Sequence, residues 1–267
     1  MKNLTFSEKN DIKNIISSGE VNQDNVNSVI SSFAKYNLNV KDMSDKENFE
    51  AISQWLKKHY KWYVETEFFN IINDKINAAH KYHLLESDDL IIYREELDKI
   101  VSVNNIKQEK ILFTILCIAK LQKNILGYKN GKYVYALTNI FKLARVHIPS
   151  TERENFMHNL FKMGFIAAPF KNNDSARWVT FLSDEGEKVI TVNELDFQEL
   201  AFVYEQWKNG NRGFTRCQKC NRLMKQSKTK PKKYCEECGK EVERENSKER
   251  VRRYREKCNE NLTQQND

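Results

Sequence analysis

Four cysteines near the end of the chain, arranged as two C-x-x-C pairs, constrain the fold more than any other feature. The first pair is Cys217 and Cys220, the second is Cys235 and Cys238, and fourteen residues separate the two pairs. A C-x-x-C turn directs two sulfurs to one point, and two such turns complete a tetrahedral shell around Zn²⁺. A shell of four thiolates has no open position, so the sequence predicts one structural zinc ion without a catalytic role.

The alternatives for these cysteines are disulfide bonds or a chance arrangement. The first ten residues are polar and charged and lack the apolar core of a secretory signal, which favours a cytoplasmic protein, and disulfides are rare in the cytoplasm. Flanking cations such as Arg216 and Lys219 also favour deprotonated thiols. The longest apolar run, residues 111–119, is too short to span a bilayer, so we expect no membrane partner.

Positive charge is concentrated around the cysteines. Residues 212–257 contain 17 lysines and arginines against 7 acidic residues, whereas the whole chain has a net charge of +7, so the remainder is slightly negative. Eight of the 12 arginines lie in this segment. A localised, arginine-rich patch is typical of a surface that contacts nucleic acid.

We therefore predict that cations beside the cysteines, in the loop between the pairs and in the following segment contact a polynucleotide, with DNA favoured over RNA. These residues are Arg216, Lys219, Arg222, Lys225, Lys228, Lys230, Lys232, Lys233, Lys248, Arg250, Arg252, Arg253 and Arg255. The alternative for residues 239–257 is a solvated helix held by internal ion pairs, such as Glu249 with Arg253.

The rest of the chain predicts a mainly helical fold, because three prolines and eight glycines are few for 267 residues. Residues 1–105 form a helical N-terminal region, in which Ser44 can cap a helix beginning near residue 46. We interpret this region as an interaction or oligomerisation domain, so a second copy of the chain is one possible partner. Cys117, within the apolar run, is predicted to lie in the core.

Residues 106–208 have the pattern of a winged-helix-like domain with a closing helix: helix, strand, helix, helix, strand, loop, strand. Thr151 and Glu154 have the spacing of a capping box at the start of the third helix, whose exposed face would include Arg153. That helix has almost no net charge, and winged helices also bind proteins, so DNA binding by this helix stays open. We predict a linker at residues 209–213, a zinc module with a basic helix at residues 214–257, and a disordered tail at residues 258–267.

The cysteine region resembles a zinc module in uncharacterised phage and prophage proteins of low-GC Gram-positive bacteria. The similarity rests on Cys-Gln-Lys-Cys-Asn-Arg at 217–222, Lys-Tyr-Cys-Glu-Glu-Cys at 233–238 and Arg-Val-Arg-Arg-Tyr-Arg at 250–255, and it extends more weakly back to about residue 90. The resemblance implies a viral or mobile-element origin and the four cysteines as metal ligands. It implies no particular activity.

The motif content favours a non-enzymatic protein, because the sequence has no phosphate-binding loop, dinucleotide-binding glycine motif or nucleophile elbow. The first hypothesis is a zinc-containing nucleic-acid-binding protein, a regulator or replication accessory encoded by a phage or mobile element. The alternative is a phage protein that binds and inhibits a host factor, such as an antiviral defence complex, through its N-terminal helices.

Overall fold

Residues 6–168, 176–227 and 231–264 are described by the structure, a computed structural model, with side chains as far as Arg255. These residues form eleven helices and seven short strands, which confirms the predicted mainly helical class. The chain divides into two compact units. Unit 1 is Met1–Asp88 with Leu121–Tyr128, and unit 2 is Asp89–Lys120 with Lys129–Asp267.

Unit 1 is built from four helices around an apolar core that includes Ile30, Ile52 and Ile72. The helices are α1 (Glu8–Ser18), α2 (Val26–Lys41), α3 (Asp45–His59) and α4 (Glu65–Ala79). The predicted cap at Ser44 is confirmed as a full capping box: its hydroxyl accepts from the Glu47 N–H, and the Glu47 carboxylate accepts from the Ser44 N–H at 2.8 Å.

Unit 2 contains the remaining elements, except that the end of the helix Ile106–Leu126, from Leu121 onward, belongs to unit 1. In chain order they are β1 (Leu90–Tyr93), α5 (Arg94–Val101), α6 (Ile106–Leu126), β2 (Lys132–Tyr133), α7 (Leu137–Leu143), α8 (Ser150–Lys162), β3 (Ile166–Ala167), β4 (Arg177–Val179), β5 (Lys188–Val192), α9 (Glu194–Phe197), α10 (Leu200–Asn209), β6 (Phe214–Arg216), β7 (Leu223–Lys225) and α11 (Glu236–Gln264). Strand β1 pairs with β5, which lies about a hundred residues later, so the segment after Asp88 belongs to unit 2. The sequence predicted the boundary at residue 105.

Helix α6 passes through the core of unit 2, and every side chain from Ile111 to Lys120 is buried. Burial raises the pKa of the Cys117 thiol, as expected for the core residue that the sequence predicted. Two buried charged side chains of α6, Lys120 and Glu109, have polar partners on other elements. Lys120 pairs with the buried Glu96 at 2.9 Å, and the Tyr204 hydroxyl donates to the buried Glu109 carboxylate at 2.9 Å.

The middle of unit 2 contains a small antiparallel sheet in the order β2-β4-β3, next in sequence to α7 and α8. The predicted capping box at Thr151 and Glu154 was wrong. Helix α8 begins at Ser150 with Pro149 as its N-cap, and no side chain caps it. Proline is tolerated at this position because the N–H groups at the start of a helix have no partner within the helix, so the missing N–H costs no helical hydrogen bond.

The last helix, α11, is 29 residues long and continues through Gln264, where the sequence predicted disorder from residue 258. None of the helices in the described part of the chain is both long and apolar enough to cross a bilayer.

Candidate metal centre and nucleic-acid interface

The four cysteines of the candidate metal centre come from a hairpin and from the start of a helix. Cys217 and Cys220 lie in the turn between β6 and β7, where the Cys217 N–H donates to the Arg222 carbonyl at 3.0 Å and the Asn221 N–H donates to the Cys217 carbonyl at 2.9 Å. Asn221 has a φ of 58°, a left-handed conformation that asparagine tolerates well. Cys235 directly precedes α11, and Cys238 lies in its first turn.

The sulfur positions fit a tetrahedral metal site. All four Sγ atoms lie within 4.8 Å of one another, and those of Cys220 and Cys235 are 3.7 Å apart. A tetrahedron with Zn–S bonds near 2.3 Å has edges of about 3.8 Å, whereas a disulfide needs about 2.05 Å. The predicted clustering of the four cysteines is therefore confirmed, and the donor set suits a metal ion such as zinc.

Hydrogen bonds tune the acidity of these thiols. Burial raises the pKa of Cys217, but N–H donors from Cys220, Cys235 and Lys219 outweigh that effect and lower it to about 6. Burial raises the pKa of Cys238, and its hydrogen bonds to the other cysteines raise it further. A cation at the centre would compensate for the charge of the remaining thiolates as they lose their protons.

The segment from Phe214 to Arg255, which we call the cysteine module, is attached to α9 and α10 by ion pairs. Arg216 makes a two-pronged contact with Asp196, both distances being 2.9 Å, and only 4% of Asp196 is exposed. Lys225 reaches Glu205 on α10 at 2.6 Å. Arg216 and Lys225, both predicted nucleic-acid contacts, are thus engaged with carboxylates of their own chain.

Several other predicted contacts also have carboxylate partners. Lys219 lies 2.9 Å from Glu241 on α11, and Arg222 lies 2.8 Å from Glu237. The pKa of Arg222 is raised, against the effect of burial, by the negative charge of Glu237 and of the cysteine sulfurs. These two cations therefore brace α11 against the hairpin beside the metal centre.

Four predicted nucleic-acid contacts lie in the loop between β7 and the second cysteine pair, and the structure describes two of them. Lys228 and Lys230 lie outside the described residues. Lys232 and Lys233 are exposed. The pKa of Glu236 is lowered mainly by its hydrogen bond from Lys240 and, more weakly, by the positive charge of Lys232.

Helix α11 has two different sides in its described C-terminal half. On one side Glu249 accepts from both Arg252 and Arg253, at 3.0 and 2.9 Å, which confirms the predicted Glu249–Arg253 pair. The other side has four exposed cations without a carboxylate partner among the described side chains. These are Arg244, Lys248, Arg250 and Arg255, which we call the open basic face.

The open basic face is continuous. At about 100° per residue its four cations and the side chains between them cover roughly 160° of the helix circumference. Within residues 244–255, all of which the structure describes, both glutamates lie outside this arc. Sequence reasoning predicted three of the four cations and missed Arg244, which a helical projection of residues 244–255 would have found. It also missed the anchoring role of Asp196 and Glu205.

Comparison with known proteins adds no relative from which to transfer a role. No family model, curated protein or solved structure matches the chain. The four cysteines are also the only group of three or more potential metal ligands found in the described part of the chain. The functional argument therefore rests on the cysteine module itself.

Proposed function

We propose that this protein is a non-enzymatic, zinc-containing nucleic-acid-binding protein whose polynucleotide surface is the open basic face of α11. The observation that carries the proposal is the fixed position of that face. The helix that presents it also supplies Cys238 in its first turn and begins directly after Cys235. A metal ion held by the four cysteines would thus orient an exposed helix whose cations have no carboxylate partner among the described side chains, the arrangement expected for phosphate contacts.

Zinc is the metal that this site fits best. Thiolates bind soft or borderline metals, and four of them in a tetrahedron suit Zn²⁺ or an iron–sulfur centre. The short spacing between Cys220 and Cys235, 3.7 Å, matches four sulfurs around one small ion. With every position occupied by protein, the ion would stabilise the module and perform no chemistry.

We further propose that the middle of unit 2 is a winged helix, on the support of its element order and of the strand order β2-β4-β3. Its helix α8 is poorly suited to DNA. Arg153 donates to the Ile148 carbonyl and lies over the Phe141 ring, so it is engaged within the chain, whereas Glu152 and Glu154 are exposed. Phosphates would be repelled there, which leaves α11 as the better surface.

The test compares two variants of α11 that lack different cations. Each is titrated with a labelled duplex DNA at several salt concentrations. Each neutralised phosphate contributes about −0.9 to the slope of log affinity against log salt, so we expect a slope of roughly −4 to −5 for the intact protein. The variant Lys248→Ala/Arg250→Ala/Arg255→Ala should flatten the slope by about two to three units and weaken binding to all sequences alike.

The matched control is Arg252→Ala/Arg253→Ala, which removes the two arginines paired with Glu249. This variant should change the slope by less than about one unit, because those cations already share a carboxylate. Equal losses in both variants would show that the side of the helix does not matter, and the proposed surface would then be wrong.

The second candidate is a protein-binding role for unit 1, which exposes aromatic side chains. Trp62 is 52% exposed and Phe69 is 53% exposed, and their rings contact Tyr60 and Phe49. Exposed aromatic residues are enriched at protein interfaces. The partner in this second hypothesis is a host factor such as an antiviral defence complex. The evidence for it would be a purified host protein that binds the intact chain, fails to bind Trp62→Ala/Phe69→Ala, and binds the open-face variant normally.

A further inference from the structure

Two apolar side chains lie within the open basic face, and neither contributes to a core. Tyr254 is 71% exposed and Val251 is 50% exposed. Among the described residues, Tyr254 has the highest exposure of the large hydrophobic side chains and makes no hydrogen bond or ring contact. A helix that only contacted phosphates would need cations and no aromatic ring.

The helix places this tyrosine among the cations. Arg250 precedes Tyr254 by four residues and is its neighbour on the helix surface, whereas Arg255 follows it directly and lies about 100° around the axis, within the same open basic face. Along the axis, Lys248 and Arg255 are separated by about 10 Å, which corresponds to roughly three nucleotides of a stacked strand. The face therefore has the length of a short run of nucleotides, with an aromatic ring near its C-terminal end.

We propose that the open basic face binds a single-stranded polynucleotide, with Tyr254 stacked on an unpaired base, Val251 packed beside it and the cations on the flanking phosphates. This inference rests on the proposed nucleic-acid-binding function and names its substrate. In a duplex each base is already stacked on its neighbours, so a protein ring gains little there. An unpaired base offers a whole face to an aromatic side chain, independently of sequence.

The experiment measures the affinity of the 267-residue, zinc-loaded protein for three labelled probes at one salt concentration: oligo(dT), oligo(U) and a random duplex DNA. Tyr254→Ala should weaken binding to oligo(dT) or oligo(U) by roughly 5- to 100-fold, the usual loss for one stacked base, and change duplex binding by less than about twofold. Tyr254→Phe keeps the ring and should bind like the intact protein. A preference for oligo(dT) or oligo(U) identifies the natural strand as DNA or RNA.

The outcomes separate this inference from the function on which it depends. If Tyr254→Ala binds single strands with the affinity of the intact protein, Tyr254 does not stack on a base. The same conclusion follows if the variant loses equal affinity for single strands and for the duplex. Both results overturn the stacking inference and leave the proposed nucleic-acid binding intact. No binding of the unaltered protein to any of the three probes would overturn both. Because Tyr254 is exposed, zinc content and thermal unfolding of Tyr254→Ala should match those of the intact protein, so a folding defect would be detected.

Discussion

At the scale of single residues, a few carboxylates determine which cations of the cysteine module a ligand can reach. Asp196 and Glu205 engage Arg216 and Lys225, and Glu249 engages two arginines on α11. Glu205 also pairs with Lys110 on α6 at 2.8 Å, so its hydrogen bonds to two lysines lower its pKa against the opposing effect of burial. The module is thereby tied to the helices that precede it.

The pair between Arg216 and Asp196 gives a direct prediction for stability. Arg216→Ala should lower the free energy of unfolding by about 2–3 kcal/mol, because it leaves the buried Asp196 carboxylate without its cation. The measurement is urea unfolding of the zinc-loaded protein. Arg212→Ala is the matched control, since Arg212 is exposed, four residues away and in no ion pair among the described residues.

A second substitution checks the cause. Adding Asp196→Asn to Arg216→Ala should recover part of the loss, because a neutral amide is cheaper to bury than an unpaired carboxylate. If Arg216→Ala proved as stable as Arg212→Ala, the ion pair would have no anchoring role.

At the scale of elements, the hairpin β6–β7 and the first turn of α11 are joined by the cysteines, by ion pairs such as Arg222 with Glu237, and by a small cluster in which Met224 packs with Cys217 and Cys238. Cys235→Ser should reduce zinc from about one ion per chain to well below one and unfold the module, because metal binding and local folding are coupled in such sites. The helices of unit 1 should stay folded. The measurements are metal analysis and limited proteolysis, in which residues 209–255 should become sensitive.

Cys258→Ser serves as the control for that variant, since Cys258 is a cysteine of the same chain outside the predicted ligand set. It should retain full zinc and the original cleavage pattern. Zinc that stays at full occupancy in Cys235→Ser, or an intact protein that contains none, would be incompatible with a metal held by the four cysteines.

The elements also show which features the sequence can predict. Local patterns sufficed for the cap at Ser44, for the buried apolar run of α6 and for the pair of Glu249 with Arg253, because in each case the interacting groups are close in sequence. The partners of Arg216 and Lys225 lie 20 residues earlier on other elements. Charge counting therefore treated these two cations as available to nucleic acid.

At the scale of the whole molecule, the sequence predicted a helical protein with a four-cysteine module, and the structure agrees with both. The membership of β1 in unit 2 rests on its pairing with β5, a partner about a hundred residues away that the composition of β1 does not identify. The open basic face was not predicted either, because the net charge of a helix does not show which of its cations are paired with carboxylates. Three-dimensional placement shows that six of the thirteen predicted contacts already have a carboxylate partner in their own chain. These are Arg216, Lys219, Arg222, Lys225, Arg252 and Arg253.

The central claim is that the zinc-loaded protein binds polynucleotides through α11, and one measurement tests it most directly. The intact protein is titrated at low salt with labelled single-stranded DNA, single-stranded RNA and duplex DNA, and again as the salt concentration rises. The account predicts binding that weakens steeply with salt, because the contacts are made with phosphates. Failure to bind any of the three at low salt would contradict the account and favour a protein partner for unit 1.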